Sequence, residues 1–442
     1  MSDAERPQPQ PKGVPSWLVL LAGILAVILG GVAVVDAWWD HDGSKREAAE
    51  EITASTETGS GAAHAAASAA VGDPAPLPSE EVGVAGPIAW APHLVWVNDI
   101  AFPAMPDGRA ILIDADTGRM LGMLSGGYGH NSLLFSPDGQ RIYNPETYYA
   151  RGTRGKRTDV ITVYDAGRLV PLSEIVIPAK RFLSMPLLAN QRLLDDGRLA
   201  VIYNFTPSQT VTVADVRAGR QLAEFDTPGC SLIFPLAARR FAMLCADGGL
   251  LDIALDANGE PLVQAARPVF FDPDRDPLIE KPVFDGRRWL FVSFSGAVYA
   301  VRLKDDGAVG EAVGWRVAAA DSGWRPGGIQ PLAYHAPSGR LLVLMHEGGA
   351  GTHKNPGTMV WAFDAATGRK LAQWPLAVPA TSIAVSPDAD DPLLYAALIG
   401  DPTLRVYSAK DGRLRRAIPE TGITTTILQP VPAPATMQEQ GQ

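Results

Sequence analysis

The sequence predicts an all-β chain closed into a seven-bladed β-propeller, and three observations carry that prediction. First, short apolar and β-branched runs recur from about residue 86 onward, such as Ala110-Ile111-Leu112-Ile113, Val160-Ile161-Thr162-Val163-Tyr164 and Leu341-Leu342-Val343-Leu344-Met345. Gly, Asp, Asn and Pro cluster between them, and no long 3.6-residue period competes. Second, one turn type repeats, an Asp followed within a few residues by Gly, with glycines at 118, 167, 219, 259, 307, 368 and 412. Asp caps such a turn with its own carboxylate, and Gly takes the positive φ that reverses the chain. Third, the spacings are regular, at 49, 52, 40, 48, 61 and 44 residues. A second series of turns falls between them, at Ser136-Pro137-Asp138-Gly139, Asp195-Asp196-Gly197, Asp247-Gly248, Asp285-Gly286, Ser338-Gly339 and Ser386-Pro387-Asp388. Two hairpin turns per repeat make four strands, and seven four-stranded repeats around an axis make a propeller. Val95-Trp96-Val97 and the segment from Ile423 to Leu428 are placed to pair and close the ring, leaving no open edge. A pair of sandwiches or a solenoid is the competing architecture.

The elements before and after the ring follow from composition. Residues 1–13 read as a cytoplasmic tail, and residues 14–39 as a transmembrane anchor or a signal segment. Within the latter, Trp17 to Val35 carries no charge. Nineteen residues at about 1.5 Å each give a helix of roughly 28 Å, close to the hydrocarbon thickness of a bilayer. Trp17, Trp38 and Trp39 flank it, Arg6 and Lys12 precede it, and Asp36, Asp40 and Asp42 follow it. That polarity puts the bulk of the chain outside the cytoplasm. Val35-Asp36-Ala37 offers a cleavage site, but the apolar run exceeds a usual signal core, which favours an uncleaved inner-membrane anchor over release into the periplasm. Residues 40–85 are an Ala/Ser/Gly/Pro-rich linker with little to bury. The ring spans 86–430, and 431–442 reads as a disordered tail. Cys230 and Cys245 flank a short strand pair. In an exported chain they are expected to form a disulfide, with two buried thiols as the alternative.

The charge balance and the missing motifs exclude several functions. With 38 basic and 48 acidic residues the net charge is −10, so nucleic acid is not an expected partner. Two cysteines cannot supply a four-cysteine metal centre. His346-Glu347 begins like a zinc-protease motif, but Ala350 stands where the second His belongs, and His346 and His353 read as loop or core histidines in place of ligands. Gly127-Tyr128-Gly129-His130-Asn131-Ser132 lacks the last Gly of a dinucleotide loop and precedes a strand. No GxSxG elbow is present. The residues alone describe an exported scaffold or binding surface with no catalytic or metal-binding residue assigned.

Several segments carry a resemblance. These are Val97-Asn98-Asp99, Arg151-Gly152 with Lys156-Arg157-Thr158-Asp159, Arg181-Phe182-Leu183, and the cysteine segment from Asp226 to Gly248. To them belong Gly323-Trp324-Arg325-Pro326-Gly327-Gly328, Ala333-Tyr334-His335, His353-Lys354, and Leu394-Tyr395-Ala396 before Gly400-Asp401. In register across one chain, from Val95 to Ile427, they resemble the heavy subunit of the quinoprotein amine dehydrogenases. The resemblance implies a seven-bladed propeller that serves oxidation of a primary amine to aldehyde and ammonia. It implies that the cofactor, tryptophan tryptophylquinone, belongs to a separate light subunit, so the ten tryptophans here are not its precursors. It further implies a heterotetramer of two heavy and two light chains, and a blue copper protein as electron acceptor. The family places a phenylalanine after the VND segment at the mouth of the substrate channel, and Phe102 stands near that place, one residue out of step. A core or blade-edge aromatic is the alternative reading of Phe102. A periplasmic propeller that binds or assembles without catalysis is the alternative function.

Overall fold

The computed structural model describes residues 86–319 and 322–434. The expected anchor, linker and terminal tail therefore lie outside the described residues, apart from the first four residues of that tail. No helix among the described residues is long and apolar enough to cross a membrane. The described helices are three short 3-10 turns, Phe102–Asp107, Leu188–Asn190 and Ala336–Ser338.

Everything else of regular structure is antiparallel strand, apart from isolated parallel bridges. Five sheets follow one another along the chain, over residues 191–226, 230–267, 283–316, 324–380 and 382–418. A further sheet of eight strands divides at one parallel bridge, Gly127 opposite Thr147, into two halves. One half spans 134–177. The other joins the strands of 94–127 to the last strand, Thr425–Pro430, which pairs with Leu94–Asp99 through Val95↔Pro430 and Val97↔Leu428. The two ends of the ring sequence are thus hydrogen-bonded to each other, as the apolar segments there predicted.

The core lies between sheets. Within a strand every second residue faces one neighbouring sheet and the alternate set faces the other, so both faces read apolar. Val95, Val97 and Ile111 pack on Tyr395 and Val406. Trp96, Ala110 and Leu112, of opposite parity, pack on Ile142 and Tyr164. Equivalent clusters join each following pair of sheets, and the cluster of Val95 returns the last sheet to the first. The order is propeller-like.

The Asp-Gly turns all fall between the third and fourth strands of their groups. At Asp114, Oδ1 accepts from the N–H of Asp116 at 3.0 Å while Gly118 adopts φ 77°. The second series falls between first and second strands at the same end, with one departure. Asp247-Gly248 joins Arg240–Cys245 to Leu250–Leu255, at the opposite end, and its group turns instead at Ala238-Arg239. One end of the ring therefore carries tight turns, and the other carries the longer loops and the crossovers between sheets.

Cys230 and Cys245 are directly opposite in register and form the disulfide, with Cα atoms 4.0 Å apart. Closing a loop of 15 residues removes denatured-state entropy, contributing about 3 kcal/mol. Cys230→Ser is expected to lower the melting temperature, read by calorimetry, with no effect on any substrate preference. An unchanged melting temperature would show that the bridge contributes nothing.

Candidate functional site

The long-loop end holds the polar residues that the turns do not explain. Phe102 sits between Leu94–Asp99 and the next strand, Gly108–Asp114, and is 49% exposed. Its position comes from Asp99, whose carboxylate is buried beneath the loop. Asp99 Oδ1 accepts from the N–H of Ala101 at 2.9 Å and from the N–H of Thr424 at 3.1 Å, and Oδ2 accepts from the N–H of Ile423 at 3.1 Å. The Thr424 hydroxyl donates to Asp99 and accepts from the N–H of Phe102 at 3.0 Å. Ala101 adopts φ 53°, a left-handed conformation that alanine rarely takes, at the point where the chain turns to present Phe102. The structure puts Phe102 on an exposed loop and not in a blade core.

Beneath this loop runs a buried neutral network. Asn98 Nδ2 donates to the Ile427 carbonyl and to Gln429 Oε1, so its Oδ1 is the acceptor for His130 Nε2–H at 2.8 Å. Burial, reinforced by the Arg181 charge, pulls the His130 imidazole down to about 3, and it stays uncharged at neutral pH. Arg181 is itself fully buried. Its guanidinium donates to Thr147 Oγ1 at 3.1 Å and to the Tyr128 carbonyl at 3.3 Å, and burial draws it down to about 10. Asp159, with no side-chain exposure, takes both Arg157 Nε and Nη2 and the backbone N–H of Arg181. The segments around Val97, Lys156 and Arg181, scattered in sequence, thus meet between the first two groups of strands.

The Gly-Trp-Arg-Pro-Gly-Gly segment has a packing reason. A Cβ on Gly327 would lie 2.5 Å from His346 Nδ1, and Gly328 holds φ 116°, where a Cβ would collide with the Thr381 carbonyl oxygen. His346 Nε2 and Thr352 Oγ1 are hydrogen-bonded at 2.8 Å, and the His353 ring stacks on Phe294 at 3.6 Å. Burial and a neighbouring Lys354 draw His353 down to about 4. No group of three or more metal-ligating side chains is assembled among the described residues. Cys230 and Cys245 lie at the same long-loop end, three groups of strands away from Phe102. Thr424, which sequence reading missed, lies 325 residues from Asp99. Its only local signal is a hydroxyl run, Thr424-Thr425-Thr426.

This arrangement extends over the whole ring, and so does the comparison with known families. The family model for the methylamine dehydrogenase heavy chain (MADH) matches residues 92–431. The chain belongs to the methylamine dehydrogenase heavy-chain family. The heavy chain of Paracoccus versutus is 33% identical over 334 residues, covering 74% of this chain and 77% of that protein. That of Methylophilus methylotrophus is 29% identical over 426 residues, covering 95% of this chain and 96% of its own length. Among solved structures, a functionally unknown protein from Desulfotomaculum acetoxidans shares the fold at a TM-score of 0.50 and 11% identity, covering 75% of this chain and 97% of that one. The segments around Asp99, Asp159 and the disulfide all lie within the matched region.

Proposed function

We propose that this chain is the heavy subunit of an amine dehydrogenase that converts a primary amine to aldehyde and ammonia. The observation that carries the reading is the family match across the entire described ring. The seven groups, six of four strands and one of five, are the blades of a β-propeller. The ring is periplasmic, tethered to the inner membrane by residues 14–39, and joins a light subunit in a tetramer of two heavy and two light chains.

The redox group belongs to that partner. Two tryptophans must be joined to make the quinone, and the one Trp pair in ring contact among the described residues is Trp324–Trp361, at 5.3 Å. The Lys370 ammonium covers the Trp361 ring at 3.2 Å, and Trp361 is packed in the core between sheets. These tryptophans are structural and do not fit a quinone site. Tryptophan tryptophylquinone in the light subunit supplies the electron acceptor for the amine, and a blue copper protein receives the electrons. This chain's own residues do the rest. Exposed apolar side chains at the long-loop end, Phe102, Tyr148, Phe205 and Ile423, form a face for the light subunit. Phe102 stands at the rim of the substrate channel and sorts amines by bulk. The closed ring keeps that rim at a fixed distance from the partner.

The test is purification from membranes. A small partner subunit is expected to accompany the chain, and the complex is expected to show a quinone absorbance bleached by amine. Amine oxidation by the isolated heavy chain, or its recovery without a partner, would overturn the reading in favour of a self-contained enzyme or an assembly module. In the complex, Phe102→Ala is expected to shift relative kcat/KM about tenfold toward bulkier amines. Unchanged preference would remove Phe102 from the channel.

A further inference from the structure

The axis of the ring holds a cavity of about 390 Å³, within the usual size range of small-molecule sites. It reaches the turn-bearing end. Phe135, Phe284 and Val385 line it and are each the last residue of a strand before a tight turn there. Phe102 lies at the other end, so this cavity is separate from the rim described above.

Most of the wall is apolar, and its polar groups are nearly all committed elsewhere. The Gln330 side chain donates to the Leu428 carbonyl at 3.0 Å and accepts from the Leu428 N–H at 2.8 Å. Trp289 Nε1 donates to the Pro235 carbonyl at 2.7 Å. Glu280 and Lys281 pair with each other at 3.5 Å. The Tyr334 hydroxyl has no hydrogen-bond partner among the described residues, and Arg192 is the charged exception. Its guanidinium lies 5.4 Å from the centre of the Trp289 ring, and Nη1 donates to the carbonyls of Leu188 and Gln191. No carboxylate among the described residues pairs with it, and its Nε and Nη2 have no hydrogen-bond partner there. Burial draws the group down to about 10, so it remains a cation at neutral pH. Arg192 is half-buried by surface area, so its charge keeps some hydration, and an anion in the cavity would give its free guanidinium edge a charge-assisted partner.

We propose that the axial cavity is a binding site for a small organic monocarboxylate with an aromatic or branched apolar body. The carboxylate meets Arg192 Nε and Nη2, whose fork suits two parallel bonds to one carboxylate. The body lies against Phe284, Trp289 and Tyr334. One uncommitted cation and an apolar wall favour a monoanion over a phosphate dianion.

The test is a calorimetric titration of the full chain with benzoate, with benzyl alcohol as the neutral match and inorganic phosphate as the compact anion. Benzoate is expected to bind saturably, about tenfold or more tightly than benzyl alcohol, and phosphate is expected to bind more weakly than benzoate. Trp289 beside the carboxylate should report binding as a change in intrinsic fluorescence. Arg192→Met is expected to weaken benzoate by about tenfold or more while leaving benzyl alcohol unchanged. The three-probe comparison uses the unmodified chain, so it decides the matter even if the variant fails to fold. No saturation by benzoate, equal binding by benzyl alcohol, tighter binding by phosphate, or undiminished benzoate affinity in a folded Arg192→Met chain would each overturn the proposal.

Discussion

Asp252→Ala is expected to produce the largest loss of stability of any single substitution considered for this ring. Asp252 lies on Leu250–Leu255 with no side-chain exposure, between two arginines on the flanking strands. Arg240 donates Nε to Oδ1 at 2.9 Å and Nη2 to Oδ2 at 2.7 Å, and Arg267 donates Nε and Nη2 to Oδ2 at 3.0 and 2.6 Å. The N–H of Ala308, on the next sheet, adds a bond at 2.9 Å. One carboxylate therefore ties three strands of one sheet to its neighbour. Gly307 is required beside it, because a Cβ there would overlap the Arg267 guanidinium. Removing the acid strands two half-buried cations, a loss of about 3–5 kcal/mol, read as a lower denaturant midpoint. The acid limb of stability should change as well. Burial alone would raise the Asp252 carboxyl, but Arg240, the Ala308 N–H and Arg267 together hold it below its ordinary value. A carboxyl depressed in the folded state adds stability that is complete above about pH 4 and is lost as pH falls through the folded value. Asp252→Asn should therefore flatten the fall in stability below about pH 4. An acid limb identical to the parent's would mean that Asp252 carries no such linkage.

The contrast between Asp114 and Asp252 shows what sequence could and could not disclose. Asp114 caps its own turn with backbone two residues away, so its role is written in five or six consecutive residues. Repetition of that local pattern exposed the strand number per repeat, and the apolar ends exposed the closure between Leu94–Asp99 and Thr425–Pro430. Asp247-Gly248 has the same composition as the other turns and yet lies at the opposite end, because turn chemistry fixes reversal and not which hairpin reverses. Asp252 interrupts an apolar strand with nothing nearby to explain it, and its partners lie on three other strands. Arg192 was silent for the same reason. The wall that leaves it without a counter-ion is built from strands far apart in sequence. Of the candidate site, the resemblance drew attention to Val97-Asn98-Asp99 and to Phe102 beside it, but not to the bonds from Asp99 to Ile423 and Thr424, 324 and 325 residues away.

That group yields the second large effect, on selectivity instead of stability. Asp99 gathers the backbone N–H groups of Ala101, Ile423 and Thr424, and through the Thr424 hydroxyl it fixes the N–H of Phe102. It is a positioning residue, touching only the backbone and the Thr424 hydroxyl around the loop that carries Phe102. Asp99→Ala leaves four donors without their acceptor, the backbone N–H groups of Ala101, Ile423 and Thr424 and the Thr424 hydroxyl, at a cost of about 3 kcal/mol or more, and frees the left-handed turn at Ala101 to relax. The expected result in the assembled enzyme is a raised KM and a lost preference among amines, with kcat for the best amine changed far less. Thr424→Val separates this effect from general damage. It keeps the backbone bonds to Asp99 and removes only the hydroxyl between Asp99 and Phe102, at about 1 kcal/mol. It should reproduce most of the Phe102→Ala change in amine preference with a nearly parental melting temperature. If Phe102→Ala alters preference while Thr424→Val does not, the clamp does not position Phe102 and Asp99 only stabilises the loop. If both variants leave preference untouched, selection occurs elsewhere on the long-loop end.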